Sequence, residues 1–173
     1  TGRLPVSGPP LQLLFVLWGA GRIALLMPDL IGTLAAVTVD AVFLPTVLAI
    51  CVREIVAGRK WKDLKIVGGL LALSLANGYF HFEAIVEGHP DIATRLGVSA
   101  YAMLVIIVGG RMIPSFTRNW INRFGRTDFP VPYNSFDTTS ILSAMTAFAA
   151  WVLAPETMLT AALACVAALL HVV

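Results

Sequence analysis

Six apolar stretches, separated by short polar ones, dominate this sequence. They cover residues 11–28, 30–52, 64–86, 92–113, 137–153 and 157–173. A helix needs about 20 apolar residues to cross a hydrocarbon layer ~30 Å thick. In lipid every backbone polar group must be satisfied internally, so repeated runs of this length specify helices. The sequence therefore predicts an all-α fold, a polytopic transmembrane bundle of about six spans forming one domain over residues 1–173. Composition agrees: 58% of residues are hydrophobic and 13% charged, where a soluble domain carries about 25% charged residues. A soluble enzyme is excluded on this ground, and disorder by the apolar content. A net charge of +2 gives no footprint for nucleic acid. The lipid bilayer is the partner this composition demands.

Charge gives the orientation. The tight turns Met27-Pro28-Asp29, Glu87-Gly88-His89-Pro90-Asp91 and Pro155-Glu156 carry Asp29, Glu87, Asp91 and Glu156 and no Lys or Arg. The other two connections hold Arg53, Arg59, Lys60, Lys62 and Lys65, and then Arg111, Arg118, Arg123 and Arg126. With Arg3, ten of the twelve basic residues fall on one side of a six-span chain. Short loops rich in Lys and Arg stay in the cytoplasm. Both termini and the 114–136 loop are therefore expected there. Two arginines escape the split: Arg22, inside the first span, and Arg95, near the start of the fourth.

The 114–136 connection contains Phe129-Pro130-Val131-Pro132-Tyr133-Asn134, which cannot be regular helix because proline removes donors and fixes φ. Around Trp120, with Arg118, Arg123 and Arg126, the composition fits either a short amphipathic helix at headgroup level or a solvated loop. Pro114 is expected to end the fourth helix. Cys51 and Cys165 form no CxxC pair and indicate neither a disulfide framework nor a zinc site. No cleavable signal peptide is visible before the first span. The absence of an initiator Met and a final apolar run reaching Val173 suggest a fragment of a longer chain, whose remaining helices are expected partners.

Ionisable residues within a span are costly and mark functional sites by default. Asp40 lies near the middle of the second span, and Arg22 at comparable depth in the first. The short turn between them folds the two helices back on each other, so an ion pair Arg22–Asp40 is expected. It would pin the hairpin, since buried pairs fix arrangement more than they add stability. In the third span Ser74, Asn77 and His81 share one helical face, with Tyr79, Phe80 and Phe82 expected as an aromatic shell and Glu83 near the outer boundary. A neutral imidazole is the commonest metal ligand, and Asn77 could orient it. A lone histidine that only bonds a neighbouring helix fits the same pattern. Thr139, Ser143 and Thr146 form a stripe expected to pack closely against another helix. His171 lies at the cytoplasmic end of the sixth span, so it should share no ligand with His81, and His89 is an exposed loop histidine. No phosphate loop, Ser-His-Asp set or HExxH helix is present.

Four segments read together carry a resemblance. Leu17-Trp18-Gly19-Ala20-Gly21-Arg22, Phe43-Leu44-Pro45, Ala76-Asn77-Gly78-Tyr79-Phe80-His81 and Gly109-Gly110-Arg111-Met112-Ile113-Pro114-Ser115-Phe116-Thr117 are similar to segments of the NnrS family of bacterial membrane proteins. The last is the most specific. The resemblance implies an inner-membrane protein that contains haem and copper and takes part in the nitric-oxide response or denitrification. It further implies His81 as a metal ligand, with His171 as a second candidate, and Asn77 and Arg111 as cofactor-binding residues. Arg111 could pair with a haem propionate, as a guanidinium does with any carboxylate, or serve only as a headgroup anchor. Family members also carry an early His-rich helix that this sequence lacks. A transporter with a polar path past Arg22, Asp40 and the third span is the alternative function. A purely structural membrane component is a third.

Overall fold

The computed structural model describes residues 6–59, 61–129, 131 and 133–172. Arg3, Lys60, Pro130, Pro132, Val173 and the Lys62 side chain, which the sequence argument used, lie outside the described residues. The described residues contain helices and no strand. They form two compact units, divided between His89 and Pro90.

The first unit holds α1 (Pro9–Leu26), a single turn α2 (Pro28–Ile31), α3 (Thr33–Gly58) and α4 (Leu64–Val86), with a 3-10 turn at Trp61–Asp63. Pro28 opens α2, where its missing N–H costs nothing. Gly32 closes it at φ +87°, donating its N–H to the Pro28 carbonyl at 2.8 Å. That left-handed glycine reverses the chain between α1 and α3. In this unit α3 packs against both α1 and α4.

The second unit holds α5 (Asp91–Arg123), α6 (Ser135–Leu153) and α7 (Met158–Val172). Helix α6 packs against α5 and α7. Its start is set by a capping box. The Phe136 N–H bonds Asn134 Oδ1 at 2.7 Å, and the Asn134 N–H bonds Asp137 Oδ2 at 2.8 Å. The sequence expectation began this helix two residues late for want of that Asn-x-x-Asp pattern.

Five helices, α1, α3, α4, α5 and α6, are long and apolar enough to cross a membrane, and α7 is a shorter apolar helix. What is buried is equally telling. Ala24, Ala36 and Ala76 fill the first unit, and Ala144, Ala147 and Ala167 the second. Phe15, Leu34, Leu75, Phe116 and Leu169 point outward. Small residues inside and large apolar ones outside is the arrangement of helices solvated by lipid, which pack through close backbone approach. The chain is a multi-pass membrane protein.

Two expectations are corrected. Helix α5 does not end at Ile113: it continues through Pro114 to Arg123, so the first part of the expected 114–136 loop is helix. A proline ring crowds the carbonyl four residues back, which here belongs to Gly110, and the Gly109-Gly110 pair leaves that turn free of side-chain bulk. The Trp120 segment is therefore an extension of α5. It ends where Trp120 and Phe124 pack at 4.7 Å between ring centroids and Arg118 lies 5.6 Å from the Phe129 ring centroid. The packing stripe of α6 is also shifted by one residue. Ser140, Ala144 and Ala147 are its buried face, and Ser140 Oγ is 3.1 Å from both the Phe136 and the Leu170 carbonyl. Thr139, Ser143 and Thr146 instead bond carbonyls of their own helix at 2.7–2.9 Å.

Candidate functional site

Asp40 is the hub of the first unit. It sits about two turns into α3 and is 2% exposed. Its Oδ1 faces the Arg22 guanidinium from α1. Its Oδ2 lies 2.9 Å from His81 Nε2 and 3.4 Å from Asn77 Nδ2, both on α4. Three helices thus meet on one carboxylate. An ionised carboxylate only accepts hydrogen bonds, so the contact assigns the His81 proton to Nε2. The other ring nitrogen, Nδ1, makes no hydrogen bond among the described residues and keeps its lone pair. With neutral imidazole the cluster sums to zero charge, the cheapest state for ionisable groups inside a span.

Local sequence explains how the groups reach each other. Asn77 and His81 are four residues apart and therefore stacked on one helical face. Gly21 precedes Arg22 at a point where α1 passes close to α3. A Cβ on Gly21 would lie 3.0 Å from Asp40 Cα and 3.2 Å from Asp40 Oδ1. The Gly19-Ala20-Gly21-Arg22 segment combines a notch for the carboxylate with the cation that pairs to it. Sequence reasoning saw the arginine and missed the notch.

The burial of the partners is unequal. The His81 side chain is 8% exposed and that of Arg22 is 51% exposed. Arg22 closes the cluster from its exposed side, with its guanidinium head turned in toward Asp40. Ser74 shares the α4 face but does not join, because its hydroxyl donates to the Leu70 carbonyl at 2.8 Å. The aromatic shell around His81 reduces to one ring. Phe80 meets the imidazole edge-on at 5.7 Å, while Tyr79 and Phe82 stack on each other at 6.3 Å and are exposed. Consecutive residues of a helix point about 100° apart, so three rings flanking one position cannot all converge on it. Glu83, two residues beyond His81, is 1% exposed, a buried acid that hydropathy alone had placed at the boundary.

The second unit carries the remaining candidates. Arg111 is exposed on α5. His171 lies on the last turn of α7, its Nδ1 2.8 Å from the Ala167 carbonyl. That bond makes Nδ1 the donor and leaves Nε2 as the acceptor. His171 also lines an open cavity of about 640 Å³, with Ala144, Trp151, Ala164 and Ala168 among its walls. His89 is exposed. Among the described residues no group of three His, Cys, Asp or Glu side chains is placed to hold a metal ion.

The profile of the NnrS protein family matches residues 1–173. The chain belongs to the NnrS family. No curated protein and no solved structure matches it. Three of the four segments that carried the resemblance now have physical places in an NnrS chain. The glycine-arginine segment approaches Asp40, Asn77 and His81 bond it, and the Gly109–Thr117 segment is the turn of α5 that passes Pro114.

Proposed function

We propose that this chain is part of a haem- and copper-associated protein of the bacterial inner membrane that acts in the nitric-oxide response or in denitrification. The observation that carries this reading is the His81–Asp40 contact at 2.9 Å. A metal-binding imidazole nearly always gives its second ring N–H to a carboxylate or carbonyl, which fixes its orientation and raises its basicity. His81 has that support at Nε2 from Asp40 and would ligate through Nδ1. His171 has it at Nδ1 from a backbone carbonyl and would ligate through Nε2. Each offers a single nitrogen, which suits an axial ligand of haem iron. Haem, when bound, supplies an iron centre for redox and nitric-oxide chemistry. Copper held here would need ligands from elsewhere, because the described residues offer no ready group of three.

The protein's own residues do the rest. Asp40 orients His81 and pairs with Arg22. Asn77 holds the same carboxylate oxygen from one turn away. Arg111 is the residue suited to pair with a propionate. The test is an absorbance spectrum with metal analysis on the full-length protein. His81→Ala should lower or abolish haem content, while His89→Ala leaves it unchanged. Unaltered haem in both His81→Ala and His171→Ala variants would refute these two residues as ligands.

A further inference from the structure

Of the two arginines outside the basic loops, Arg22 has a carboxylate and Arg95 does not. Arg95 lies one turn into α5, and among the described residues its guanidinium forms no ion pair and its buried Nε no hydrogen bond. Asp91, four residues earlier and best placed in sequence to neutralise it, is exposed and unpaired with it. One turn deeper, Ser99 is 7% exposed and its Oγ is also without a partner.

That serine is unusual within its own chain. Thr38, Thr46, Ser74 and Thr94 each donate to the carbonyl four residues back. This is the ordinary way a helix satisfies a hydroxyl. The Ser99 hydroxyl does not donate to the Arg95 carbonyl and keeps its proton for another acceptor. A guanidinium only donates, and a hydroxyl that has given up its helix carbonyl can donate too. Two idle donors one turn apart on one face, one of them cationic, call for an acceptor that carries negative charge.

We infer that Arg95 and Ser99 form a binding site for a small planar oxyanion, a carboxylate or a nitrogen oxyanion. Planarity follows from the fork. With Nε unengaged, the edge made by Nε and one terminal nitrogen presents two parallel N–H groups, which match two oxygens of a trigonal anion. A spherical halide would meet the same charge but use the fork poorly. The hydroxyl of Ser99 supplies a third donor to the anion's inner oxygen. Anion binding removes the uncompensated cation from the span, so the site is stabilised by its own ligand. This inference stands on α5 alone and does not depend on any cofactor.

The test is titration calorimetry of the purified full-length protein in nanodiscs with sodium nitrite, nitrate and formate, against chloride. Saturable binding of at least one planar anion, tighter than chloride, is expected. Arg95→Gln should weaken it by about tenfold or more, since charged hydrogen bonds are the stronger ones. Arg95→Lys keeps the charge and loses the fork, so it should bind several-fold more weakly, roughly, and lose the preference for planar anions. It also covers the case in which Arg95→Gln fails to fold. Ser99→Ala should weaken binding by about threefold to tenfold, and Ser99→Thr should restore it. Absence of saturable binding, or equal affinities in the wild type and both Arg95 variants, would overturn the inference.

Discussion

His81 Nε2 lies 2.9 Å from Asp40 Oδ2, a contact that joins α4 to α3 across forty-one residues of sequence. It changes what the buried carboxylate is for. A carboxylate facing only Arg22 would be one half of an ion pair that holds a hairpin. Asp40 also fixes the tautomer of an imidazole, and both of its oxygens are committed.

Asp40→Asn tests that role without emptying the site. The amide keeps the shape but removes the charge that orients His81. Loss of such a supporting group typically costs 10–100-fold in metal affinity. Haem content or its Soret position in the full-length protein should change by a loss on that order, while the fold survives. An unchanged spectrum would separate Asp40 from any ligand at His81.

The three-way sharing also predicts how the Arg22–Asp40 pair responds to removal. Replacing both residues by Leu would normally relieve a buried pair. Here it strands the His81 and Asn77 donors, at about 1–3 kcal/mol for an unsatisfied buried group. The double Leu variant should remain destabilised in thermal or denaturant unfolding, and adding His81→Leu should recover part of the loss. Full recovery in the double variant would mean that His81 does not depend on Asp40.

Gly21 and Gly19 offer a paired comparison. A Cβ at Gly21 meets the Asp40 backbone at 3.0 Å, whereas one at Gly19 meets nothing within 4 Å. Gly21→Ala should cost about 1–3 kcal/mol through overpacking, and Gly19→Ala should be neutral or slightly stabilising. Equal effects on melting temperature would remove the close approach of α1 and α3 as the cause.

Orientation can be read by fusion. Alkaline phosphatase placed after Glu87 or Glu156 should be active, and after Lys62 or Arg123 inactive, since basic loops stay inside. The reverse pattern would invert the depth of every polar residue.

Much of this was legible in the sequence, for reasons that differ by residue. The spans follow from apolar length, because lipid leaves the backbone no alternative to helix. Arg22 and Asp40 could be matched because the short connection, residues 27–32, limits how far α1 can slide along α3. His81 could not be matched to Asp40, since the connection from Arg53 to Lys65 does not set how far α4 slides along α3. Pro114 misled for a physical reason: in water it would end a helix, whereas a membrane helix tolerates it where neighbouring groups or a local adjustment satisfy the freed backbone.

Cysteine labelling from Ser115 to Arg123 would decide that last point. A continuous helix should give reactivity repeating about every 3.6 residues. Uniform fast labelling would return the segment to a loop.

At 33 residues α5 is about 50 Å long, against a hydrocarbon layer of ~30 Å. A helix of that length must lean steeply or stand clear of the bilayer. Either way the segment with Arg118, Trp120 and Arg123 belongs to the same helix that carries Arg95 and Ser99 at its other end. The Gly109-Gly110 and Pro114 turn, short of one hydrogen bond, is the place where that helix can bend between them.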